Sequence, residues 1–353
     1  MIKSQKRIDD FFKNSNSSNN KYNIKRYFYL IIEDKFKPKC HAYWTDRKPD
    51  KINFIEQVAC DYIKKGYYYY ICGYFQDYEE KAYRFNKEKV YNNIGYLKSH
   101  LQKSIRKGNE LLAVQTCYHL FKLNLNELLR ILPIIMLEDI ILHESFSTLV
   151  WFMIAYSTNN FKMMIYMYEW ILGLIYVLCK IDIKDELDNN DGNNLDNDFP
   201  VIDKLNNYAS NEYSQEECSL LYSIHMIISY CSNKSNVKML NNYVTIWEKR
   251  FREKSDQNKL NRMDINPICV YVKELTLNEW DLSAIDHHTH PKLLEFITKK
   301  YYNLDIDKLK DLIMYHSSCI NYRSKPIIYD IENWNIIKGY LQKTQKYLLD
   351  SYH

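Results

Sequence analysis

The sequence is poor in glycine and proline, with only seven of each among 353 residues. Average proteins use both residues roughly two to four times more often. A low glycine content argues against nucleotide sites in which glycine-rich loops surround phosphate groups. A low content of both argues against β architectures with many tight turns. The two shortages together favour a mainly helical protein.

Cysteine pairs are also missing. Nine cysteines are spread along the chain, an odd number, and no two of them form a Cys-x-x-Cys pair. That pattern excludes the disulfide framework of small secreted domains and the usual spacing of zinc fingers. The polar N-terminus lacks the features of a secretory signal peptide. We therefore expect a reducing compartment, the cytosol or the nucleus.

Neither sign of charge dominates. The formal net charge is +4, which is less basic than expected of a dedicated nucleic-acid-binding domain. Contact with DNA is thus allowed but not required. What the sequence has in quantity is hydrophobic residues, which make up 46% of the chain when its 33 tyrosines are counted among them. This length and composition suffice for one large domain or two ordinary ones.

The pattern between residues 22 and 75 is mixed. Residues 27–32 predict a strand, whereas residues 52–65 predict a helix because their apolar positions recur at close to 3.6-residue spacing. The aromatic run at residues 67–75 has β propensity, although the start of a buried helix explains it nearly as well. We expect its rings to pack in the core rather than to stack on bases, because stacking rings normally alternate with basic residues.

From residue 90 onwards the sequence predicts helices. The first ends at Gly108, a residue suited to stop a helix, and the second covers about residues 110–122. Asn124 caps a third helix, which Pro133 can end or kink. Residues 147–157 and 161–179 are the most apolar segments. Further helices are predicted at residues 214–231, 237–254, 291–302, 305–316 and 331–349.

The segment at residues 161–179 is hydrophobic nearly all round, which indicates either the central helix of a bundle or a membrane span. Its longest uncharged stretch covers only residues 170–179, whereas a span needs about 20 apolar residues. We therefore favour a buried helix and expect no membrane partner. A membrane-associated protein built around residues 147–179 is the weakest alternative.

The predicted fold class is all-α, a helical bundle or array, with room for a small β element within residues 22–75. Residues 184–198 are acidic and asparagine-rich, which indicates a solvated linker or loop. They lack the ligand pattern of a calcium-binding EF-hand loop. The predicted organisation is a disordered tail at 1–21, a helical domain at 22–183, a linker at 184–200 and a second helical domain at 201–353.

The most informative feature is a short segment near the start of the chain. It contains a glutamine, an aliphatic residue three positions later, and two aromatics three and four positions after that, namely Gln5, Ile8, Phe11 and Phe12. One 3₁₀ turn brings residues i and i+3 to the same side, so Ile8 and Phe11 project together with Phe12 beside them. This pattern resembles the PIP box, by which replication and repair proteins bind the sliding clamp PCNA.

The resemblance implies that Ile8, Phe11 and Phe12 fill a hydrophobic pocket on the clamp, while the amide of Gln5 hydrogen-bonds at its rim. Flanking lysines and an arginine suit an acidic partner surface. Residues 14–20 are nearly all asparagine and serine, a composition that cannot bury a core. The alternative is that the three apolar side chains pack as one helix face on the rest of the same protein.

Some clamp-binding peptides also direct destruction of their protein, and these carry Thr-Asp before the aromatic pair and a basic residue four positions after it. Here Asp9 replaces the threonine and Asn16 occupies the later position. The resemblance therefore implies tethering only. It also shifts the expected location to the nucleus.

One group of side chains could hold a metal. Asp286, His288 and His290 lie in an Asp-His-His-Thr-His cluster that superficially resembles the Asp-His-His motif of DHH phosphoesterases. The earlier aspartate motifs of that family are not recognisable here. The simpler interpretation is a loop that caps a helix beginning at Pro291. A zinc site would need further ligands from elsewhere in the chain.

A second enzyme candidate combines Asp50 with Glu79 and Lys81. This order resembles the PD-(D/E)xK nucleases, in which an acidic pair and a lysine on adjacent strands hold a metal and activate water. Asp50, however, lies in a polar turn, and chance spacing explains the match better.

A further resemblance rests on Leu101, residues 103–106, Ala113 and residues 138–140. With these residues, the stretch at 99–140 resembles the helical oligomerisation domain of the Werner-helicase-interacting, clamp-loader-like ATPases. Generic helix-pair sequence explains the match equally well. No phosphate-binding Gly-x-x-x-x-Gly-Lys-Ser/Thr loop occurs anywhere in the sequence, so no ATPase is implied.

Candidates for DNA contact without catalysis lie on two predicted helices. A protein held at a clamp sits beside duplex DNA at high effective concentration, so weak phosphate contacts suffice, although ordinary solvated helix faces look the same. The candidate residues are Lys103, Arg106 and Lys107 on one helix, and Lys249, Arg250 and Arg252 on the other.

The sequence thus predicts a non-enzymatic, helical accessory or scaffold protein of DNA replication or repair that binds PCNA, together with duplex DNA or other replication and repair proteins, and uses no cofactor. The alternative is a clamp-tethered, metal-dependent nuclease or phosphoesterase. The two hypotheses differ in whether the protein cleaves DNA in the presence of a metal.

Overall fold

The chain is mainly helical and contains one small sheet. The structure, a computed structural model, describes residues 25–60, 67–76, 93–185, 205, 208, 212–231, 234–253, 260–271, 291–300, 305–316 and 331–351. The strands are β1 Tyr27–Ile32, β2 Cys40–Thr45, β3 Phe54–Ala59 and β4 Tyr68–Phe75. The helices are α1 Ile94–Arg106, α2 Glu110–Leu123, α3 Leu125–Asp139, α4 Phe146–Ser157, α5 Ile165–Lys180, α6 Gln215–Tyr230, α7 Lys234–Glu253, α8 Pro291–Lys300, α9 Ile306–His316 and α10 Ile331–Ser351.

The chain divides into two compact units, each assembled from stretches that are far apart in sequence. The sheet unit comprises the described residues within Met1–Tyr83, Leu142–Met167 and Leu187–Arg262. The helical unit comprises those within Arg84–Ile141, Tyr168–Glu186 and Met263–His353. The predicted linker at 184–200 lies, beyond Asp185, outside the described residues.

The sheet is mixed, with strand order β2-β1-β4-β3. The two central strands, β1 and β4, run parallel, and each outer strand pairs antiparallel with its central neighbour. Side chains alternate between the two faces of a strand, so the register divides them into an inner and an outer set. Both faces carry aromatic rings, and each face builds a core of its own.

The inner face packs on α4 and α6. The rings of Phe28 and Trp44 stack with centroids 4.4 Å apart, and Trp44 lies 5.5 Å from the ring of Tyr222 on α6. Trp151 of α4 is fully buried, and its Nε1 donates hydrogen bonds to the carbonyl oxygens of Phe28 (3.0 Å) and Cys72 (3.1 Å). One indole thus holds a helix to both central strands.

The outer face is covered by the loop at residues 46–53, which connects the two outer strands and must therefore cross the sheet. The hydroxyl of Tyr29 donates a hydrogen bond to the carbonyl oxygen of Lys51 at 2.9 Å, and Ile52 packs on the rings beneath. Tyr27, Tyr29 and Tyr70 are almost fully buried in this second core. The prediction that the aromatic run at 67–75 packs in a core is confirmed for Tyr69, Tyr70 and Phe75, whereas Tyr74 is half-buried.

The edge strand β2 is protected by two side chains. The backbone N–H of Ala42 donates to Oγ1 of Thr148 at 3.1 Å, and that of Trp44 donates to Oγ of Ser219 at 3.0 Å. Open N–H groups on an edge strand are templates for pairing with another chain. Helices α4 and α6 therefore occupy an edge that would otherwise invite aggregation.

The prediction of a helix over residues 52–65 is wrong, because Phe54–Ala59 form β3 and pair antiparallel with β4. A short apolar run fits both the helical and the strand period, and here the partner strand decides between them. The strand predicted at 27–32 is confirmed, and the run at 67–75 contains β4. An all-α class therefore gives way to a mainly helical fold with a four-stranded sheet.

The predicted helices are otherwise confirmed, and asparagine marks several of their starts. The side chains of Asn93, Asn109 and Asn124 each accept a backbone N–H in the first turn of α1, α2 and α3, respectively. Gly108 follows α1 with a φ of +66°, a conformation that glycine adopts without a Cβ penalty. Pro133 lies inside α3 without ending it.

The helical unit contains one very close backbone approach. The segment at residues 263–270 runs beside α5, where the N–H of Ile268 donates to the carbonyl oxygen of Glu169 at 3.0 Å. A Cβ added at Gly173 would lie 2.2 Å from the carbonyl oxygen of Asn266. Only glycine therefore fits at position 173 with this segment in place.

Helix α5 is buried along nearly its whole length, as the sequence predicted. Among the helices that the structure describes, none is both long and apolar enough to cross a membrane. Helices α8, α9 and α10 share a small core in which Leu309, Leu312 and Ile337 are fully buried.

We expect the helical unit to lose stability in mild acid because of His119 on α2. Burial, with a smaller contribution from Lys122, lowers the pKa of His119 from 6.5 to about 4. Between these two pH values the His119 imidazole is protonated in the unfolded chain and neutral in the folded chain. The free energy of unfolding therefore falls as the pH drops from about 6.5 to about 4. The expected decrease in the free energy of unfolding is about 2 kcal/mol.

Urea denaturation at pH 7 and pH 4.5 measures this loss, with His119→Gln as the test variant and the exposed His41→Gln as its control. The His119→Gln protein should show a smaller decrease in unfolding free energy between the two pH values, while His41→Gln behaves as the wild type. Equal decreases in all three proteins would contradict the assignment.

Candidate functional site

A polar cavity of about 340 Å³ lies beside the edge strand β2 in the sheet unit. It lies between the start of α4, the start of α6 and residues 41–43 of β2. Its lining residues are His41, Ala42, Tyr43, Glu144, Ser147, Ser214, Gln215, Glu216, Ser219 and Leu220. Small-ligand sites typically begin at this size.

Arg262 binds two of the carboxylates that line this cavity. Its guanidinium lies 3.0 Å from Glu144 and 2.7 Å from Glu216, and these contacts raise the pKa of Arg262 above its ordinary value. The arginine is positioned by a short pairing of Asn261 with the backbone at residues 142–144. One guanidinium thereby joins the starts of α4 and α6.

The hydroxyl groups around the cavity are also bound within the protein. Ser219 donates to the carbonyl oxygen of Gln215 at 2.6 Å while accepting from β2. Ser147 accepts from Ser223 at 3.1 Å, and Ser214 caps α6. These bonds hold β2, α4 and α6 together, so we assign the polar groups of the cavity a structural role.

The loop at residues 33–39, between β1 and β2, has a different character. Phe36 at its tip is 82% exposed, more than any other large hydrophobic side chain that the structure describes. Three lysines surround it in sequence, Lys35, Lys37 and Lys39, and the ammonium of Lys35 lies 5.3 Å from the centre of the Phe36 ring. We call residues 33–39 the lysine–phenylalanine loop.

The last row of the outer face adjoins this loop. The register places His41, Ile31 and Tyr74 side by side on neighbouring strands. His41 is exposed and Tyr74 is half-buried, and the ammonium of Lys51 lies 5.5 Å from the centre of the Tyr74 ring. Two rings and one lysine ammonium group therefore lie at this end of the sheet.

The predicted exposure of Lys103 and Arg106 is wrong, because both side chains are buried in the helical unit. Arg106 donates to Asp139 and lies 3.7 Å from Glu138. Asp139 is itself buried and also accepts from Gln102 at 2.8 Å. The sequence shows basic residues on a predicted helix but could not reveal the acidic residues that bind Arg106.

Two half-buried groups, Glu138 and Lys184, adjoin this buried ion pair. Burial, with a smaller contribution from the Asp139 carboxylate, raises the pKa of Glu138 above its ordinary value. Burial likewise lowers the pKa of Lys184. Charges of both signs thus meet at the ends of α1 and α3, as in an ion-pair network that fixes one helix against another.

The other predicted DNA-contact residues are more accessible. Lys107 is half-buried at the end of α1, and Lys249 is exposed on α7. The guanidinium of Arg250 lies 4.7 Å from the centre of the Trp247 ring, and Arg252 binds the hydroxyl of Tyr213 at 3.0 Å. Phosphate contact through these four residues stays a prediction.

Several candidates lie outside the described residues. They include the clamp-binding segment with Gln5, Ile8, Phe11 and Phe12, the cluster with Asp286, His288 and His290, and the pair Glu79 and Lys81. Asp50 is described and is exposed in the loop at 46–53 rather than on a strand. Within the described part of the chain, no group of three His, Cys, Asp or Glu side chains could hold a metal ion.

Comparison with known proteins gives the chain no relatives. No protein-family model, no curated protein and no solved structure matches it. Function must therefore be argued from the residues themselves.

The lysine–phenylalanine loop is not recognisable as a site from the sequence alone. The signal was present as a run of alternating lysines with one phenylalanine, Lys-Phe-Lys-Pro-Lys. Neither the exposure of Phe36 nor the proximity of Lys51 to Tyr74 follows from that run. Both depend on how β1 and β2 pair and on where the loop at 46–53 crosses the sheet.

Proposed function

We propose that this protein is a sliding-clamp-binding accessory or scaffold protein of DNA replication or repair. The observation that carries the proposal is the spacing of Gln5, Ile8, Phe11 and Phe12 in the sequence. All four anchors of the PIP-box pattern are present, in the order and at the distances that one 3₁₀ turn requires.

The physical basis of binding is the burial of apolar side chains. Ile8, Phe11 and Phe12 stand in a stretch that is otherwise polar or charged, and each such side chain contributes about 1.5–3 kcal/mol when it is fully buried. Lys3, Lys6, Arg7 and Lys13 around them would speed encounter with an acidic surface.

The body of the protein supports a tethered role. A clamp encircles duplex DNA, so a bound protein is held near phosphate groups at high effective concentration. Lys249 and Arg252 lie near the C-terminal end of α7, and both are exposed. Contacts too weak to bind DNA alone would then contribute after tethering. The expected location is the nucleus, where such a clamp operates.

Calorimetry with PCNA from the same organism tests the proposal. We expect the wild type to bind in the micromolar range, about −8 kcal/mol. The double variant Phe11→Ala/Phe12→Ala should bind at least about thirtyfold more weakly, because both aromatic anchors are lost. The matched control Asn14→Ala/Ser15→Ala changes adjacent residues outside the motif and should bind as the wild type.

A thermal melt of the same variants addresses the alternative in which the three apolar residues pack on the protein itself. If the segment serves only a partner, the melting temperature of Phe11→Ala/Phe12→Ala equals that of the wild type. A wild type that does not bind PCNA, or a double variant that binds equally well, refutes the proposal.

A further inference from the structure

We propose that the lysine–phenylalanine loop and the adjoining row of the sheet bind single-stranded DNA. The contact surface consists of the exposed Phe36 ring with the loop lysines, and of His41 and Tyr74 in the adjoining row, where Lys51 lies over the Tyr74 ring. Only the choice of DNA over RNA rests on the proposed role at the clamp. The binding surface itself is argued from the geometry of the sheet unit.

The loop holds Phe36 outward instead of leaving it to move freely. The carboxylate of Asp34 accepts the backbone N–H of Phe36 at 2.7 Å, a local turn that fixes the backbone at the tip. Pro38, two residues later, is buried, which anchors the returning half of the loop. An exposed ring that is already ordered loses little conformational entropy when a base stacks on it.

The charge around Phe36 fits a phosphate backbone. Residues 35–39 carry three lysines and no acidic residue. The nearest acidic side chains in sequence are Glu33 and Asp34, and the carboxylate of Asp34 is engaged by the backbone. Lys37 and Lys39 are both exposed, so their ammonium groups are available to phosphate oxygens on either side of a base stacked on Phe36.

The adjoining row extends the surface along the sheet. His41 and Tyr74 lie on strands separated only by β1, which corresponds to about 10 Å between them. Lys51 stands over Tyr74. Interleaved rings and lysines are the pattern by which proteins hold single strands, with rings stacking on bases and lysines contacting phosphates.

Single-stranded DNA fits this surface better than two other polyanions. In a duplex the faces of the bases are already stacked on one another, so Phe36 would find no partner there. An anionic membrane would be expected to receive several apolar side chains together, whereas Phe36 is the sole large hydrophobic side chain of residues 33–39. Unpaired bases offer both the ring face and the phosphates.

Fluorescence anisotropy with a labelled 20-nucleotide oligothymidylate and the full-length chain tests the proposal. We expect Phe36→Ala to weaken binding about tenfold through loss of one stacked base. The triple variant Lys35→Gln/Lys37→Gln/Lys39→Gln should weaken it further and make the slope of log K against log salt shallower by about 2. Phe36, Lys37 and Lys39 are exposed and Lys35 is half-buried, and the thermal melts of both variants should match the wild type.

Matched controls lie in the helical unit. Tyr271→Ala removes another highly exposed ring, 69% accessible, and the triple variant Lys338→Gln/Lys343→Gln/Lys346→Gln removes three exposed lysines from α10. Both should bind the oligonucleotide as the wild type does. The variant Phe11→Ala/Phe12→Ala should also bind it normally, so failure of the clamp proposal and failure of this one are distinguishable.

Several results would overturn the proposal. These are absence of binding by the wild type, equal affinity of the loop variants and the wild type, equal loss in the control variants, and tighter binding of an oligouridylate, a DNA duplex or anionic phosphatidylserine vesicles than of the oligothymidylate.

Discussion

Replacing Trp151 with alanine is expected to lower the unfolding free energy of the sheet unit by about 3–5 kcal/mol. The side chain is fully buried among Phe54, Phe75 and Phe161, with ring centroids 5.0–5.8 Å away. These rings meet it at steep angles, the arrangement in which aromatic pairs attract one another. Alanine would leave a cavity at the contact between the sheet and α4.

The indole also provides hydrogen bonds that a purely apolar ring cannot replace. Its N–H is shared between the carbonyl oxygens of Phe28 and Cys72. Trp151→Phe keeps most of the packing but loses this hydrogen-bond donor. We therefore expect it to lower the unfolding free energy by about 1–2 kcal/mol. Urea denaturation followed by far-ultraviolet circular dichroism measures both variants. Equal losses for phenylalanine and alanine would show that the hydrogen bonds, rather than the ring volume, dominate.

The helices of this protein could be read from the sequence because their signals are local. Asn93, Asn109 and Asn124 cap helices within three residues of themselves, and Gly108 ends α1 through its own backbone conformation. A start or stop of this kind depends on a side chain and the turn beside it. Distant parts of the chain need not be known.

The sheet could be read only in part. Residues 27–32 are apolar or aromatic throughout, and their β-branched and aromatic content indicates a strand. Residues 54–59 also contain strand-favouring residues, but their apolar spacing fits a helix as well, and pairing with Tyr68–Phe75 decides their conformation. The strand order places β3 beside β4 and β2 at the opposite edge. That order is a property of the whole sheet.

The candidate sites divide in the same way. The anchors from Gln5 to Phe12 are recognisable because a docking peptide carries its information in consecutive residues. The lysine–phenylalanine loop gains its partners from Lys51 and Tyr74, which only the sheet brings near. Lys103 and Arg106 are basic residues on a predicted helix, which made them candidates for DNA contact. Both are buried in the helical unit, where Arg106 pairs with Asp139 at the end of α3.

That buried contact leads to the second large effect. Arg106→Met is expected to destabilise the helical unit by about 3–5 kcal/mol. The side chain of Arg106 is 10% exposed and that of its partner Asp139 is 2% exposed. Methionine has a similar length and high helix propensity, so the helix itself is preserved. What is lost is the guanidinium that pairs with the buried Asp139 carboxylate.

Most of the stability lost in Arg106→Met should come from the Asp139 carboxylate, which stays buried without the guanidinium. Taking a charge out of water is expensive, and attraction to the guanidinium offsets that cost in the wild type. The double variant Arg106→Met/Asp139→Leu removes both charges and should therefore recover most of the lost stability. Urea denaturation of the two single variants and the double variant gives the coupling energy directly.

A surface ion pair would give a different result, because exposed pairs contribute about 0–1 kcal/mol. A loss of that size in Arg106→Met, or additive losses in the double variant, would contradict a buried network. Lys180→Met is the matched control, since Lys180 pairs with Glu110 at 2.7 Å while both side chains are largely exposed. Its loss should stay below about 1 kcal/mol, so the difference between the two variants measures what burial adds to one ion pair.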